Sequence, residues 1–103
     1  MKLSSVGTVI ATRVLTLSKR RKVTIVIGKP RKFRKGPDYF CPYRILGMDD
    51  KMVHYTGGVD PVQAFQLALR QLASHLHSSK EAKAGKLSWE AGSTKRDLGF
   101  PFT

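Results

Sequence analysis

The sequence predicts a small α+β domain. It consists of a four-stranded antiparallel sheet made of two hairpins, one amphipathic helix packed on one face, and a short C-terminal extended segment, in the order β-β-β-β-α. Three observations predict it. Runs rich in β-branched residues fill the first half of the chain. Clusters of Gly, Pro and Asp punctuate them at short intervals. After residue 60 the apolar period changes from two residues to about 3.6.

Val9 to Leu17 reads as a long first strand, and Ser18-Lys19-Arg20-Arg21 as a polar turn. Lys22 to Gly28 is the second strand, with Val23, Ile25 and Ile27 on one face because strand side chains alternate. Pro30, Gly36 and Pro37 make Lys29 to Asp38 a loop. Tyr39 to Leu46 is the third strand, with Tyr39, Cys41, Tyr43 and Ile45 on one face. Pro42 cannot donate a ladder hydrogen bond, so this strand is expected at an edge or with a bulge. Gly47-Met48-Asp49-Asp50 then turns the chain into a short fourth strand, Lys51 to Thr56.

The helix begins with its own start signals. Asp60 is placed to cap the free amides of the first turn, Pro61 suits the first helical position, and Gln63 completes a box-like start. At 100° per residue, Val62, Phe65, Ala68, Leu69, Leu72, Ala73 and Leu76 share one arc of about 140° that should cover the sheet. Fraying is expected over Ser78 to Lys83, and an end by Gly85. Leu87 to Trp89 reads as a final strand or extended segment, and Leu98, Phe100 and Phe102 could fold back on the body. The 103 residues make one domain, 1–103, with 1–5 and 91–103 as candidate flexible ends.

The net charge is +12, and its distribution is lopsided. Residues 1–37 hold eleven Lys or Arg and no acid; the rest holds eight basic and seven acidic residues. Lys2 with Val6, Val9, Ile10 and Ala11 is faintly like an export signal, but Thr8 and Thr12 dilute it and Arg13 ends it. No apolar run approaches the roughly 18 residues that span a bilayer. The expected setting is therefore the cytoplasm, with no membrane partner, and a lone Cys41 with no disulfide mate suits it.

Four segments carry a resemblance: Tyr39-Phe40-Cys41-Pro42-Tyr43, the stretch from Gly57 to Leu69, the stretch from Glu81 to Trp89, and Asp97-Leu98-Gly99-Phe100-Pro101. Together the chain resembles, over nearly its whole length, a family of small uncharacterised bacterial proteins, a DUF6968-like domain of unknown function. The resemblance implies a bacterial source and carries no assigned activity, so it transfers no functional residue. The chain departs from that family's pattern in the basicity of Lys19–Lys22 and Lys29–Lys35.

Catalytic and metal chemistry find little support. His75 and His77 differ in direction by about 200° on a helix and cannot share a metal, and no partner for His54 is evident. Cys41 shares a strand face with Tyr39, Tyr43 and Ile45 and reads as a buried, inert thiol. Asp49 and Asp50 have a plain use in a turn. Gly57-Gly58 precedes a helix start, but Asp60 already brings a carboxylate there, which argues against a phosphate. The expectation is a non-enzymatic protein without a cofactor.

Two binding readings follow. The first is an interaction protein of inhibitor, immunity or adaptor type, acting on an acidic protein through sheet edges, with Leu67 as an exposed helix contact. The alternative is binding of nucleic acid or another polyanion through Lys19, Arg20, Arg21, Lys22, Lys29, Arg31, Lys32, Arg34 and Lys35, with Phe33 stacking on a base. The second strand separates Lys22 from Lys29 by about 23 Å, which makes two patches. A merely solvated basic surface is the plain rival to both.

Overall fold

Val9–Leu17 (β1) and Arg21–Gly28 (β2) form an antiparallel hairpin, from Leu17 opposite Arg21 out to Val9 opposite Gly28. The computed structural model describes residues 1–18 and 20–101, so Lys19 and Phe102, both assigned roles above, lie outside the described residues. Tyr39–Leu46 (β4) pairs antiparallel with β2, and Val53–Gly58 (β5) pairs with the other edge of β4. The connection between β2 and β4 is more than a loop. Phe33 N–H donates to Asp38 C=O at 3.0 Å, closing a turn that sets Arg31–Lys32 (β3) beside Phe40 and Tyr39. Leu87–Ser88 (β6) adds to the far edge of β1, so the sheet has six strands where four were expected. β6 takes the strand alternative for Leu87 to Trp89, whereas β3, two residues long within the expected loop, is too short for alternation to show in sequence.

The expectation for Pro42 needs correction. β4 is a central strand, flanked by β5 on one edge and by β2 and β3 on the other, with no bulge in its register with β5. The ladder with β2 stops at Tyr43 and the one with β3 resumes at Phe40. Neither Cys41 nor Pro42 therefore has a ladder partner on that edge. The sheet accommodates the proline by splitting its neighbour into two pieces.

β5 also begins and ends two residues later than expected. Asp50 Oδ1 accepts from Met52 N–H at 2.8 Å and keeps Lys51 and Met52 in the turn. Gly57 and Gly58 then continue the strand opposite Phe40 and Tyr39. Gly58 is required there, because a Cβ would collide with the backbone of Ala64 where the helix leaves the sheet.

Pro61–Ser78 (α1) starts as its sequence dictates: Asp60 Oδ1 accepts from Gln63 N–H at 2.7 Å. Gln63 reaches back to Val59 N–H, one residue earlier than the usual reciprocal bond. The buried stripe is Ala64, Ala68, Leu72, Ala73 and Leu76, with Phe65 and Leu69 half-buried. Val62, expected on that stripe, is 64% exposed. Periodicity gives a direction around the helix axis but not how far along it the cover extends, and Val62 lies in the first turn. At the other end Ser79 breaks the helix in an extended conformation. Its hydroxyl donates to Leu76 C=O at 2.6 Å and accepts from Ala82 N–H at 3.2 Å, starting Lys80–Lys83 (α2).

α1 lies on the face carrying Leu15, Val23, Ile25, Ile27, Cys41, Tyr43 and Ile45, which form one core with its stripe. The C-terminal segment joins that layer, with Leu98 only 1% exposed. Arg13 holds it there. Its guanidinium donates to Gly99 C=O and, at 3.5 Å, to Leu98 C=O, and it stacks on Trp89 and Phe100 at 4.1 and 4.9 Å. On the opposite face Val6 is buried over Gly28, and Leu3 forms a β-bridge to Val53 at the outer edge of β5. Among the described residues no helix is long and apolar enough to cross a membrane.

Candidate interaction surface

The basic residues named from sequence are placed in two groups. Arg20, Arg21 and Lys22 surround the β1–β2 turn; Lys29, Arg31, Lys32, Arg34 and Lys35 occupy the β2–β4 connection, and all eight are exposed. None of them forms an ion pair among the described residues. Arg31 and Lys32 lie over the rings of Phe40 and Tyr39, at 5.1 and 5.9 Å. Phe33 is half-buried, with its ring tilted 5.0 Å from Phe40 and edge-on 6.0 Å from Tyr55, so it is partly packed inside the protein. Leu67 is exposed on α1, in a different layer from these groups.

The edges of the sheet differ sharply in character. β6 pairs only with Thr16 and Leu17, so among the described residues no strand lies beside the outer edge of β1 from Val9 to Leu15. Val9, Ile10 and Val14 are exposed along it, Ile10 and Val14 at 48% and 51%. Beside β1, on the helix side, a cavity of about 180 Å³ is lined by Ala11, Arg13, Phe65, Leu69, Phe100 and Pro101. An edge strand displays alternate N–H and C=O groups outward, and flanking pockets take alternate side chains of an added strand. The β5 edge is bracketed instead by Asp49 and Asp50 before it and Asp60 after it. Carboxylates also lie near β1: Glu81 lines a hollow with Leu17 and Arg21, and the Arg13 charge helps to hold the Asp97 carboxyl low.

A polar cluster was not visible in the sequence. Asp50 Oδ2 lies 2.6 Å from His54 Nε2, which supplies the partner that His54 lacked. The His54 ring stacks near Tyr43 and stands 4.7 Å from His75. The Tyr43 hydroxyl meets His75 Nδ1 at 2.8 Å and accepts from Gln71 Nε2 at 2.8 Å. Burial, aided by the neighbouring His54, pushes the His75 imidazole below its usual range. Burial raises the Tyr43 hydroxyl to about 12, with the Asp50 charge adding to it. Burial also opposes ionisation of Asp50, but hydrogen bonds from Met52 N–H and His54 and the nearby imidazoles outweigh it and hold the carboxyl low. The i, i+4 spacing of Asp50 and His54 was the only local signal; the meeting with His75 requires the helix to lie on β4 and β5. Among the described residues no group of three or more His, Cys, Asp or Glu is arranged to hold a metal ion. Cys41 is buried, its thiol 3.5 Å from Gly28 C=O and pushed up to about 11 by burial.

Residues 11–102 match the family model of a domain of unknown function, DUF6968. No curated protein and no solved structure matches the chain.

Proposed function

We propose that the chain, which belongs to the DUF6968 family, is a non-catalytic adaptor that captures an acidic protein segment by strand addition along the outer edge of β1. The observation that carries this reading is the unaccompanied edge from Val9 to Leu15, with a side-chain cavity beside it. Main-chain pairing supplies affinity there, while Val14 on one face and the Phe65–Leu69–Phe100 cavity on the other select apolar side chains. The cations at the β1–β2 turn steer an acidic segment toward this edge, and the aspartates around β5 turn it away from the other. A second copy of the chain is a poor occupant, since each copy carries +12. Nucleic acid is the weaker alternative, because the cations fall in two groups and the Phe33 ring is partly packed against Phe40.

The test uses a fluorescein-labelled extended peptide of alternating Val and Glu, followed by anisotropy. Binding is expected at low salt, weaker for the Val/Lys counterpart, and lost when alternate amides of the peptide are methylated. If the methylated peptide binds as well, strand addition is wrong. If only duplex DNA binds, with a steep salt dependence, the polyanion reading replaces this one. Sedimentation showing a stable dimer would assign the edge to a second copy.

A further inference from the structure

On the helix side, at the end remote from Asp60, three cations from two stretches of chain line one hollow. Lys83 of α2 and Lys95 and Arg96 of the C-terminal segment line a cavity of about 160 Å³, floored by Leu87 and Leu98 and bordered by His77. Among the described residues no carboxylate lines it, and none of these three cations is in an ion pair. A wider hollow of about 510 Å³ continues from it, sharing Arg96 and Leu98 and reaching Asp97. The Asp97 carboxylate is turned into its own loop, where it accepts from Ser93 N–H, Ser93 Oγ and Gly99 N–H at 2.9, 3.0 and 2.9 Å. It therefore organises the segment that presents Lys95 and Arg96 without occupying the hollow.

Like charges that converge on a concave surface repel one another, and the arrangement is relieved by an anion held between them. Arg offers a planar fork to phosphate and Lys a point charge. Leu87 and Leu98 are 3% and 1% exposed and only underlie the hollow, and the half-buried Ala82 offers the apolar part of its wall beside the charges. From this juxtaposition we infer that the cleft between α2, β6 and the C-terminal segment binds a small organic phosphate, the phosphate on Lys83, Lys95 and Arg96 and the carbon skeleton against Ala82. This site lies apart from the β1 edge and stands or falls independently of it.

The experiment is an amide NMR titration of the full chain with inorganic phosphate and with phenyl phosphate, at constant ionic strength balanced with chloride. Saturable shifts are expected at residues 82–87 and 95–98, with phenyl phosphate binding several-fold tighter than inorganic phosphate. Lys95→Gln and Arg96→Gln should each weaken binding about tenfold, as the loss of a charge-assisted contact implies. Arg34→Gln with Lys35→Gln, at the opposite group of cations, should leave it unchanged. Shifts that grow linearly without saturating, or that fall equally in the Arg34/Lys35 variant, would reduce the effect to charge screening and overturn the site. Equal affinities for the two probes would remove the apolar seat and with it the organic ligand.

Discussion

Replacing Arg13 with Ala should detach the C-terminal segment from the sheet. The side chain is half-buried, donates to Gly99 and Leu98 carbonyls, and lies over the rings of Trp89 and Phe100. A hydrogen bond from a charged donor contributes about 1.5–3 kcal/mol, and a ring contact of this exposure about 0.5–1 kcal/mol. These contributions overlap, and partial exposure weakens them, so the expected loss is about 2–3 kcal/mol. In a domain of this size that lowers the thermal midpoint by on the order of 10–20 °C. Trp89 is the only tryptophan in the sequence, so its emission reports the local event. Urea unfolding followed by both emission and far-ultraviolet ellipticity should show Trp89 shifting to the red before the sheet is lost. Arg13→Lys keeps the charge but loses the planar stack and should fall between the two. An Arg13→Ala protein within 0.5 kcal/mol of the parent, with unchanged emission, would refute the clamp.

Gly58→Ala should cost about 1–3 kcal/mol in urea unfolding, because the new methyl meets helix backbone at Ala64, which cannot swing aside. Gly57→Ala is the control: its nearest contact is the Phe33 ring at 3.6 Å, ordinary packing, and little change is expected. Alkaline pH gives a third prediction. Burial raises the Cys41 thiol from 9.0 to about 11, so the unfolded chain releases this proton first. Its contribution is fully present below pH 9 and is lost as pH rises through 11, amounting to about 3 kcal/mol. Urea midpoints at pH 8 and 10.5 should therefore converge in Cys41→Ala relative to the parent; an unchanged difference would mean that the thiol is solvated.

Recognition from sequence alone went furthest where the signal is local. β1 and β4 have the bounds their composition implies, and α1 starts at the cap that Asp60, Pro61 and Gln63 announce. The basic residues between Arg20 and Lys35 are exposed, as long charged side chains outside a core must be. Yet the edge from Val9 to Leu15 could not be identified, because whether a strand is at an edge depends on what else in the chain pairs with it. Arg13 looked like a residue that merely ended an apolar run. Its partners, Leu98 and Gly99, are more than eighty positions away.

What the sequence determined by itself, then, were the periodicities, the turn residues, the helix cap and the uneven charge. Each is set within a few residues, by the alternation of side chains along a strand, by the φ preferences of Gly and Pro, or by one capping hydrogen bond. Only the tertiary structure decided that Pro42 stands in a central strand and that Asp50 and His54 meet His75. It also decided that Lys83, Lys95 and Arg96 face one hollow over Leu87 and Leu98. These depend on strand order and on the docking of distant segments, whose free energy comes from burial shared among many side chains and leaves no local pattern to read.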